Sequence, residues 1–412
     1  MMTKKEPWKT DDWWVSHWNF REEVTKDFQA PKQVKIHDVT LRDGEQEPGI
    51  VFNIDDKIRI AEKLAEIGVQ RIEAGNVAVS PEDRKAIKEI VKRNLGPKIF
   101  SFCRAIVEDV KMAVDCGVSG IVIEIPVAEH MIRAGGKTVE WALDRAIKAT
   151  QFAHEQGLWV SFFTIDASRA EEDFYFNFVE NVGGDGYYDG LVVVDTFGVM
   201  NPQSAFYFMK RIKERINKPL EIHFHNHFGL AVANTVAGVV AGGEVIHTTI
   251  NGIGGGSGNC PMTETVMSLL ALYGIDAGIN YNKLNIVGGK LEKYFKEKIP
   301  PNRPFVGDMI YTAEIGVQAA NMLAARRAGT IPVDQTINPA FVGHKPGGVV
   351  MGKKSGKANI RMWAEDMGIE LTDDEVREIL VRVKAKGSEV GRLLTEAEFR
   401  EITERVKAAK SS

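Results

Sequence analysis

Residues 33–75 read QVKIHDVTLRDGEQEPGIVFNIDDKIRIAEKLAEIGVQRIEAG, and they contain two strand-like runs joined by a polar loop and a helix. The runs cover residues 33–39 and 70–75, and apolar residues between them recur at helical spacing. The same alternation continues with further strand-like runs at 98–102, 120–125, 158–163, 190–195, 220–225 and 245–250. Eight strands alternating with helices over about 240 residues predict an α/β fold, a (β/α)8 TIM barrel. An open doubly wound sheet is the alternative, but its glycine-rich fingerprint does not follow the first strand.

The composition is that of a globular protein with a large core: 412 residues, of which 44% are hydrophobic and 26% charged. A net charge of −4, with both signs interspersed, argues against a nucleic-acid partner. No apolar run approaches the roughly 20 residues of a membrane span, and the first residues lack a signal-peptide core. Three cysteines, Cys103, Cys116 and Cys260, cannot all pair within one chain, so we expect a reducing cytoplasmic location.

Three segments are predicted. Residues 1–30 form an arm that holds four of the seven tryptophans, and aromatic residues of this kind favour an interface with the chain's own surface or a partner's. A ligand-binding lid is the alternative. Residues 31–285 form the barrel. Residues 286–412 form a linker and a small helical accessory region, with a Pro-rich joint followed by short helices that begin at Thr-Asp or Thr-Glu.

Polar residues gather where the predicted strands end, which is where barrel enzymes place their active sites. His223 and His225 lie two residues apart on the seventh strand, so both side chains project to the same face. Two adjacent imidazoles are poor core residues but suit a divalent metal, which Asp43 after the first strand can complete. Arg42 is either a structural partner of Asp43 or a guanidinium directed at the ligand, with Glu73 as its anchor.

A glycine-rich loop follows the eighth strand, with five glycines in residues 252–258. Such a loop is often only a tight turn, although its backbone N–H groups also suit a phosphate or a carboxylate. Cys260 comes directly after it and is either a reactive thiol or, as is more common for a lone cysteine, an inert one.

Together these residues resemble the DRE-TIM metallolyases, which include 2-isopropylmalate, homocitrate and citramalate synthases and 3-hydroxy-3-methylglutaryl-CoA lyase. The family's D-x-T-L-R-D-G-E-Q lies at residues 38–46, its H-x-H at 223–225 and its N-G-I-G…G-N at 251–259. Glu73 matches the second-strand glutamate. The synthases' G-K-H-S-G segment reads Gly-Lys-Lys-Ser-Gly at 352–356, so the resemblance extends beyond the barrel.

The resemblance implies that Asp43, His223 and His225 bind a divalent metal, with Asn259 as an outer or fourth ligand. Two histidines and a carboxylate suit several ions, so Mg, Mn and Zn all stay open.

It also implies roles around this metal. Arg42 would polarise the keto or enolate oxygen, and Glu73 would orient it. The residues expected to bind substrate are Gln46, Arg104 and Thr196.

Two positions depart from the synthase pattern. Gln318 stands where the synthases have a histidine, and Ile165 stands where they have a catalytic glutamate; neither side chain can act as a general base. His227 is the first candidate for this role, because it shares the face of His223 and His225 if the strand continues. A histidine that only caps the strand is the alternative. The further candidates are His130, Glu129 and Cys260.

The expected reaction is a metal-dependent Claisen-type condensation of an acyl-CoA, with acetyl-CoA as the expected donor, and a 2-oxo acid to give an alkylmalate-type product. The alternative is the reverse chemistry, C–C cleavage of a 3-hydroxyacyl-CoA. A non-catalytic relative of such enzymes is a third interpretation, but the retained Arg42, Asp43 and Glu73 argue against it. The tryptophan arm and the helical extension predict a homodimer.

Overall fold

The computed structural model describes residues 6–285, 294–295, 299–330 and 335–411. It divides the chain into two compact units, of which one covers residues 16–299 and the other covers 1–15 together with 300–412. The domain boundary predicted at residue 285 adjoins residues 286–293, which lie outside the described part of the chain.

The larger unit confirms the predicted barrel. Its eight strands are parallel and form a closed barrel in sequence order, with β8 paired to β1. The strands are β1 Lys35–Asp38, β2 Arg71–Asn76, β3 Lys98–Arg104, β4 Gly120–Pro126, β5 Trp159–Ile165, β6 Gly190–Asp195, β7 Leu220–Phe224 and β8 Val245–Thr248. The helices that follow them are α1 Ile54–Ile67, α2 Pro81–Lys92, α3 Val107–Cys116, α4 Val139–Glu155, α5 Glu172–Asp185, α6 Pro202–Arg215, α7 Ala231–Val240 and α8 Met262–Tyr273.

Local sequence signals set the ends of these helices. At α1, Asn53 accepts a hydrogen bond from Asp56 N while the Asp56 carboxylate accepts from Asn53 N, which forms a capping box. The helix ends at Gly68, whose φ of +92° suits glycine. Two short helices, Glu22–Thr25 and Glu129–Ala134, lie outside the strand–helix alternation.

The barrel interior is divided into an apolar and a polar half. Strands β3 to β6 contribute the buried apolar residues Phe100, Phe102, Val122, Phe163, Val192 and Val194. Strands β7, β8, β1 and β2 contribute buried polar residues at the positions that alternate inward: His37, Arg71, Glu73, Glu221, His223 and His247. Barrel interiors are more often filled by branched apolar residues, so the polar half requires a physical explanation.

The smaller unit is helical, as predicted, and also contains a short two-stranded parallel sheet that the sequence did not indicate. Its elements are β9 Thr312–Ala313, α9 Gly316–Ala328, β10 Gly348–Val349, α10 Lys357–Asp366, α11 Asp373–Val390 and α12 Glu396–Ser411. Thr372 caps α11 by accepting a hydrogen bond from Glu375 N, in the Thr-Asp pattern that the sequence showed. Its core packs α10, α11 and α12 together through residues such as Ile360, Val383 and Phe399.

The tryptophan arm is divided between the two units. Trp14 N donates to Thr336 O at 3.0 Å and Asn338 N donates to Asp12 O at 2.7 Å, so residues 6–15 pair with the smaller unit. Farther along, Gln29 N donates to Val240 O at 2.7 Å within the barrel unit. No helix in the described residues is long and apolar enough to cross a membrane.

Candidate metal centre and active site

Asp43, His223 and His225 converge beyond the carboxyl ends of β1 and β7. Asp43 Oδ2 lies 3.0 Å from His223 Nε2 and 3.7 Å from His225 Nε2, and the two Nε2 atoms are 3.1 Å apart. A divalent cation with bonds of about 2.1 Å at right angles separates neighbouring ligand atoms by about 3 Å. The spacing therefore fits a single ion, and two imidazoles with a carboxylate are a common donor set for one.

The turn after β1 places Asp43 and Arg42. Val39 O accepts hydrogen bonds from the backbone N–H groups of both residues, at 2.9 Å and 3.2 Å, so the chain turns directly at the strand end. The buried Asp38 side chain accepts from Thr40 N at 3.0 Å and from Thr40 Oγ1 at 3.1 Å, which holds the turn. Asp38 and Thr40 are therefore structural, and they position Arg42 and Asp43.

Arg42 is buried and held from three directions. Its Nε donates to Glu73 Oε1, its Nη1 lies 3.0 Å from Asp43 Oδ2, and its guanidinium lies 4.0 Å from the centre of the Phe102 ring. Among the described residues, Arg42 Nη2 and Asp43 Oδ1 are buried without a hydrogen-bond partner. Since buried polar groups are nearly always paired, these two atoms indicate a ligand site beside the cluster.

The electrostatics favour the protonation states that a metal requires. Burial lowers the pKa of His223 to about 3 and also lowers the pKa of His225, so both imidazoles are neutral near pH 7. Burial acts to raise the pKa of Asp43, but Arg42 and His223 outweigh it and hold the pKa well below the usual range. Neutral imidazoles and an ionised carboxylate are the forms that bind metal.

A cavity of about 1000 Å³ opens beside Arg42 and the exposed Gln46. Its wall includes the cationic residues Lys85 and Arg93 on and just after α2. Its volume is at the upper end of the range for small-molecule and cofactor sites, which is about 300 to 1000 Å³.

Comparison with known proteins agrees with this arrangement. Residues 33–289 match the HMGL-like family, and residues 305–391 match the homocitrate synthase post-HMGL domain-like family. The chain belongs to the HMGL-like family.

Its curated relatives include several synthases. An (R)-citramalate synthase of Methanocaldococcus jannaschii is 37% identical over 86% of this chain and 71% of the relative. A homocitrate synthase of Methanopyrus kandleri is 36% identical over 89% and 90% of the two chains. A 2-isopropylmalate synthase of M. jannaschii is 37% identical over 88% of this chain and 70% of the relative.

Solved structures share the fold of the barrel. The HMG-CoA lyase of Brucella melitensis superposes with a TM-score of 0.58 at 20% identity, covering 65% of this chain and 100% of the other. At this identity the likeness concerns the fold alone.

Two predicted substrate residues of this HMGL-like barrel already have partners in the protein. Arg104 pairs with Asp109 through two hydrogen bonds, from Nε at 2.8 Å and from Nη2 at 2.9 Å, so one edge of its guanidinium is occupied. Thr196 Oγ1 accepts from Asp166 N at 2.8 Å, which leaves the hydroxyl proton as a donor. A substrate carboxylate would therefore bind the outer edge, formed by Nη1 and Nη2, of this half-exposed side chain.

Asn259 is buried, and the glycine-rich loop holds it. Its Nδ2 donates to Ile253 O at 3.1 Å, so its carbonyl oxygen is the atom that a cation would use. Gly254 has a φ of +150°, and a Cβ there would lie 2.2 Å from Asn259 Nδ2. The loop also uses its own N–H groups, since Gly254 N donates to Glu47 Oε2 at 3.0 Å. These contacts favour the tight-turn interpretation of the loop.

His227 lies beyond the strand that was expected to carry it. β7 ends at Phe224, so the i, i+2, i+4 alignment with His223 and His225 does not hold, and His227 is exposed in the following turn. Its ring still stacks beside that of His225, with centroids 6.1 Å apart. His227 stays a candidate for the general base because it lies at the edge of the cluster, and not because of strand periodicity.

The other candidate bases are less favourably placed. Burial raises the pKa of Cys260 to about 11, so its thiol is protonated near neutral pH. Glu129 pairs with Arg133 at 2.5 Å on the exposed short helix, and His130 Nε2 lies 2.9 Å from Asp166 Oδ2.

Sequence analysis missed Glu124 and the buried residues below the cluster. Glu124 lies in register with Arg104 and, with Ile165, lines a cavity of about 370 Å³. Burial raises its pKa, and Arg42 and Arg104 oppose this effect. The signal was present in the run GIVIEI, because a glutamate that alternates with outward apolar residues must point into the barrel.

Replacing either His223 or Asp43 by alanine is expected to weaken Mn²⁺ binding by at least about 100-fold, because each change removes a direct metal ligand. Loss of a residue that only orients such a ligand already costs about 10- to 100-fold in metal affinity. Isothermal titration of metal-stripped protein measures this. His154→Ala, on the exposed outer face of α4, is the control and should bind as the unmodified protein does. Unchanged affinity in both variants would place the metal elsewhere.

Proposed function

We propose that the chain catalyses a divalent-metal-dependent Claisen-type condensation of an acyl-CoA with a 2-oxo acid, followed by thioester hydrolysis to an alkylmalate-type product. The observation that carries the proposal is the buried cluster of Asp43, His223 and His225 beside Arg42, whose Nη2 has no partner in the described residues. The named synthases among the relatives, at 36% and 37% identity, support condensation in preference to cleavage. The likeness to lyases extends only to the fold.

A bound divalent metal would polarise the carbonyl oxygen of the 2-oxo acid. Arg42 would direct Nη2 at the negative charge that develops on that oxygen. Glu73 keeps the guanidinium in place, because it accepts from Nε and is itself held ionised: burial opposes its ionisation, but Arg42 and His37 lower its pKa to about 2. A donor fixed before the reaction needs no reorganisation when charge appears, and one such donor is worth about 3 to 4 kcal/mol of barrier.

The substrates have separate places around this centre. The cavity beside Gln46 would hold the acyl-CoA on the ground of its volume, since its wall carries carboxylates such as Glu82 as well as cations such as Lys85. The 2-oxo acid would lie over Arg42, with Thr196 donating to its carboxylate. Arg104 would contribute through the outer edge of its guanidinium, while Asp109 holds the Nε–Nη2 edge. Asn259 would complete the metal's ligands through its carbonyl oxygen.

The direct test is release of free thiol from acetyl-CoA in the presence of a panel of 2-oxo acids, with and without EDTA. We expect release with one acid, abolished by EDTA and restored by Mg²⁺, Mn²⁺ or Zn²⁺. A metal-loaded protein that stays silent with every acid but forms acetyl-CoA from 3-hydroxy-3-methylglutaryl-CoA would establish cleavage in its place.

His227 is the proposed general base that deprotonates the acyl-CoA, since the side chains of Ile165 and Gln318 cannot accept a proton. His227→Ala should lower kcat about 100-fold or more while leaving KM for the 2-oxo acid unchanged. Phe228→Ala, in the same exposed turn, is the matched control. If Glu124→Gln produces the loss and His227→Ala does not, the base is Glu124.

A homodimer is also proposed, because Trp14 and Trp18 are 51% and 64% exposed and large exposed aromatic residues favour interfaces. Analytical ultracentrifugation should give twice 45.7 kDa at micromolar concentration. A sedimenting species of 45.7 kDa would contradict the dimer.

A further inference from the structure

A chain of buried hydrogen bonds leads from the metal cluster into the barrel interior. His223 Nδ1 lies 3.3 Å from His247 Nδ1, and His247 Nε2 lies 3.0 Å from Glu221 Oε2. The other carboxylate oxygen, Glu221 Oε1, accepts from Arg71 Nη1 at 2.8 Å and from Ser161 Oγ at 2.9 Å. All five side chains are buried.

These contacts explain why one half of the barrel interior is polar. Glu221 and His223 face inward together because they are two residues apart on β7, and the pairing of β7 with β8 brings His247 beside them. An unpaired charge in this interior would be costly, so each group has to find its partner within the barrel. The chain begins with an ion pair, Arg71 with Glu221, and ends at a metal ligand.

The direction of each hydrogen bond follows from the chemistry of its partners. The Glu221 carboxylate, paired with Arg71, only accepts, so His247 must donate from Nε2. With its hydrogen on Nε2 and Nδ1 bare, the His247 imidazole accepts a hydrogen bond from His223 Nδ1–H at 3.3 Å. His223 therefore carries its hydrogen on Nδ1 and presents a bare Nε2 to the cluster.

That bare nitrogen faces other acceptors. His223 Nε2 lies 3.0 Å from the ionised Asp43 Oδ2, and no proton remains to join the two atoms. Two acceptors at this distance repel each other unless a cation lies between them. Arg71, Glu221 and His247, here called the relay, therefore favour a cation between His223 and Asp43 although they do not contact it.

We propose that Glu221, acting through His247, fixes His223 as the Nδ1–H tautomer and so makes it a metal ligand. The inference rests on the metal site of the proposed function. His247, Glu221 and Arg71 are positioning residues, because none of them contacts the metal or the substrate. Orientation of a ligating histidine through its other nitrogen is a general feature of metal sites, and its loss costs about 10- to 100-fold in affinity.

The relay itself is not a second cation site. His37, Glu221 and His247 place potential ligand atoms within 4.8 Å of one another. However, Arg71 and Ser161 occupy Glu221 Oε1, and His247 occupies Glu221 Oε2. A second cation would have to approach the Arg71 guanidinium and break these contacts.

The first test is the tautomer of His223. In metal-stripped, ¹⁵N-histidine-labelled protein, two-bond ¹H–¹⁵N correlation spectra should show His223 with its hydrogen on Nδ1 and His247 with its hydrogen on Nε2. The His223→Gln and His247→Asn variants assign the two signals by their loss. A hydrogen on Nε2 of His223 in the unmodified protein would overturn the proposal.

The second test uses paired variants and Mn²⁺ affinity by isothermal titration. His247→Phe removes the acceptor and should weaken Mn²⁺ binding about 10- to 100-fold, whereas His247→Asn keeps an acceptor oxygen near the Nδ1 position and should retain most of the affinity. Glu221→Met should weaken binding and Glu221→Gln, which still accepts, should weaken it less. Val192→Ala, in the apolar half of the same interior, controls for loss of packing and should leave affinity unchanged.

The outcomes separate this inference from the proposed function. Equal Mn²⁺ affinity in His247→Phe and His247→Asn would overturn the relay even if the protein condenses a 2-oxo acid. Weakened binding in His247→Phe and Glu221→Met, together with the predicted tautomers, would support it even if no acyl-CoA is consumed.

Discussion

The hydrogen bonds between β1 and β8 close the barrel, and the metal centre depends on this closure. Lys35 to Asp38 pair with Val245 to Thr248, which places His37 directly beside His247 with their rings stacked 4.3 Å apart. Without that seam, the polar strands at the two ends of the barrel sequence would lie at opposite edges of an open sheet. With it, β7, β8, β1 and β2 form one continuous polar wall that faces the apolar wall of β3 to β6.

This division gives the centre two different surroundings. On the apolar side, Phe102 and Phe163 cover Arg42 and His223 and exclude water, which strengthens every charge interaction in the site. On the polar side, Glu73 holds Arg42, and His247 holds His223. Each of the two groups that would act on the substrate or the metal is thereby supported by a buried carboxylate, either directly or through one imidazole.

The sequence was sufficient for the architecture and for the cluster, because both depend on periodicity. Eight strand-like runs predicted the barrel, and the two-residue spacing of His223 and His225 predicted that both would face the same cluster. It was not sufficient where a feature depends on side-chain conformation or on contacts distant in sequence. Arg104 was expected to bind substrate, but no local pattern shows that Asp109, in the first turn of the next helix, pairs with one edge of its guanidinium. His227 was aligned with its neighbours on the assumption that β7 continues, whereas Asn226 N turns to Gly258 O at 3.0 Å and ends the strand.

The division of the N-terminal arm bears on how the chain is made. Trp13 packs edge-on against Phe341 at 5.6 Å, and Asp12 pairs with Asn338, so residues more than 300 positions apart in the chain complete one small unit. Synthesis proceeds at about 5 to 20 residues per second, so the arm leaves the ribosome tens of seconds before its partners exist. During that interval strands β1 to β8 can form the closed barrel, while Trp13 remains exposed to water. Residues 12 and 13 are thus translated well before the residues that they contact.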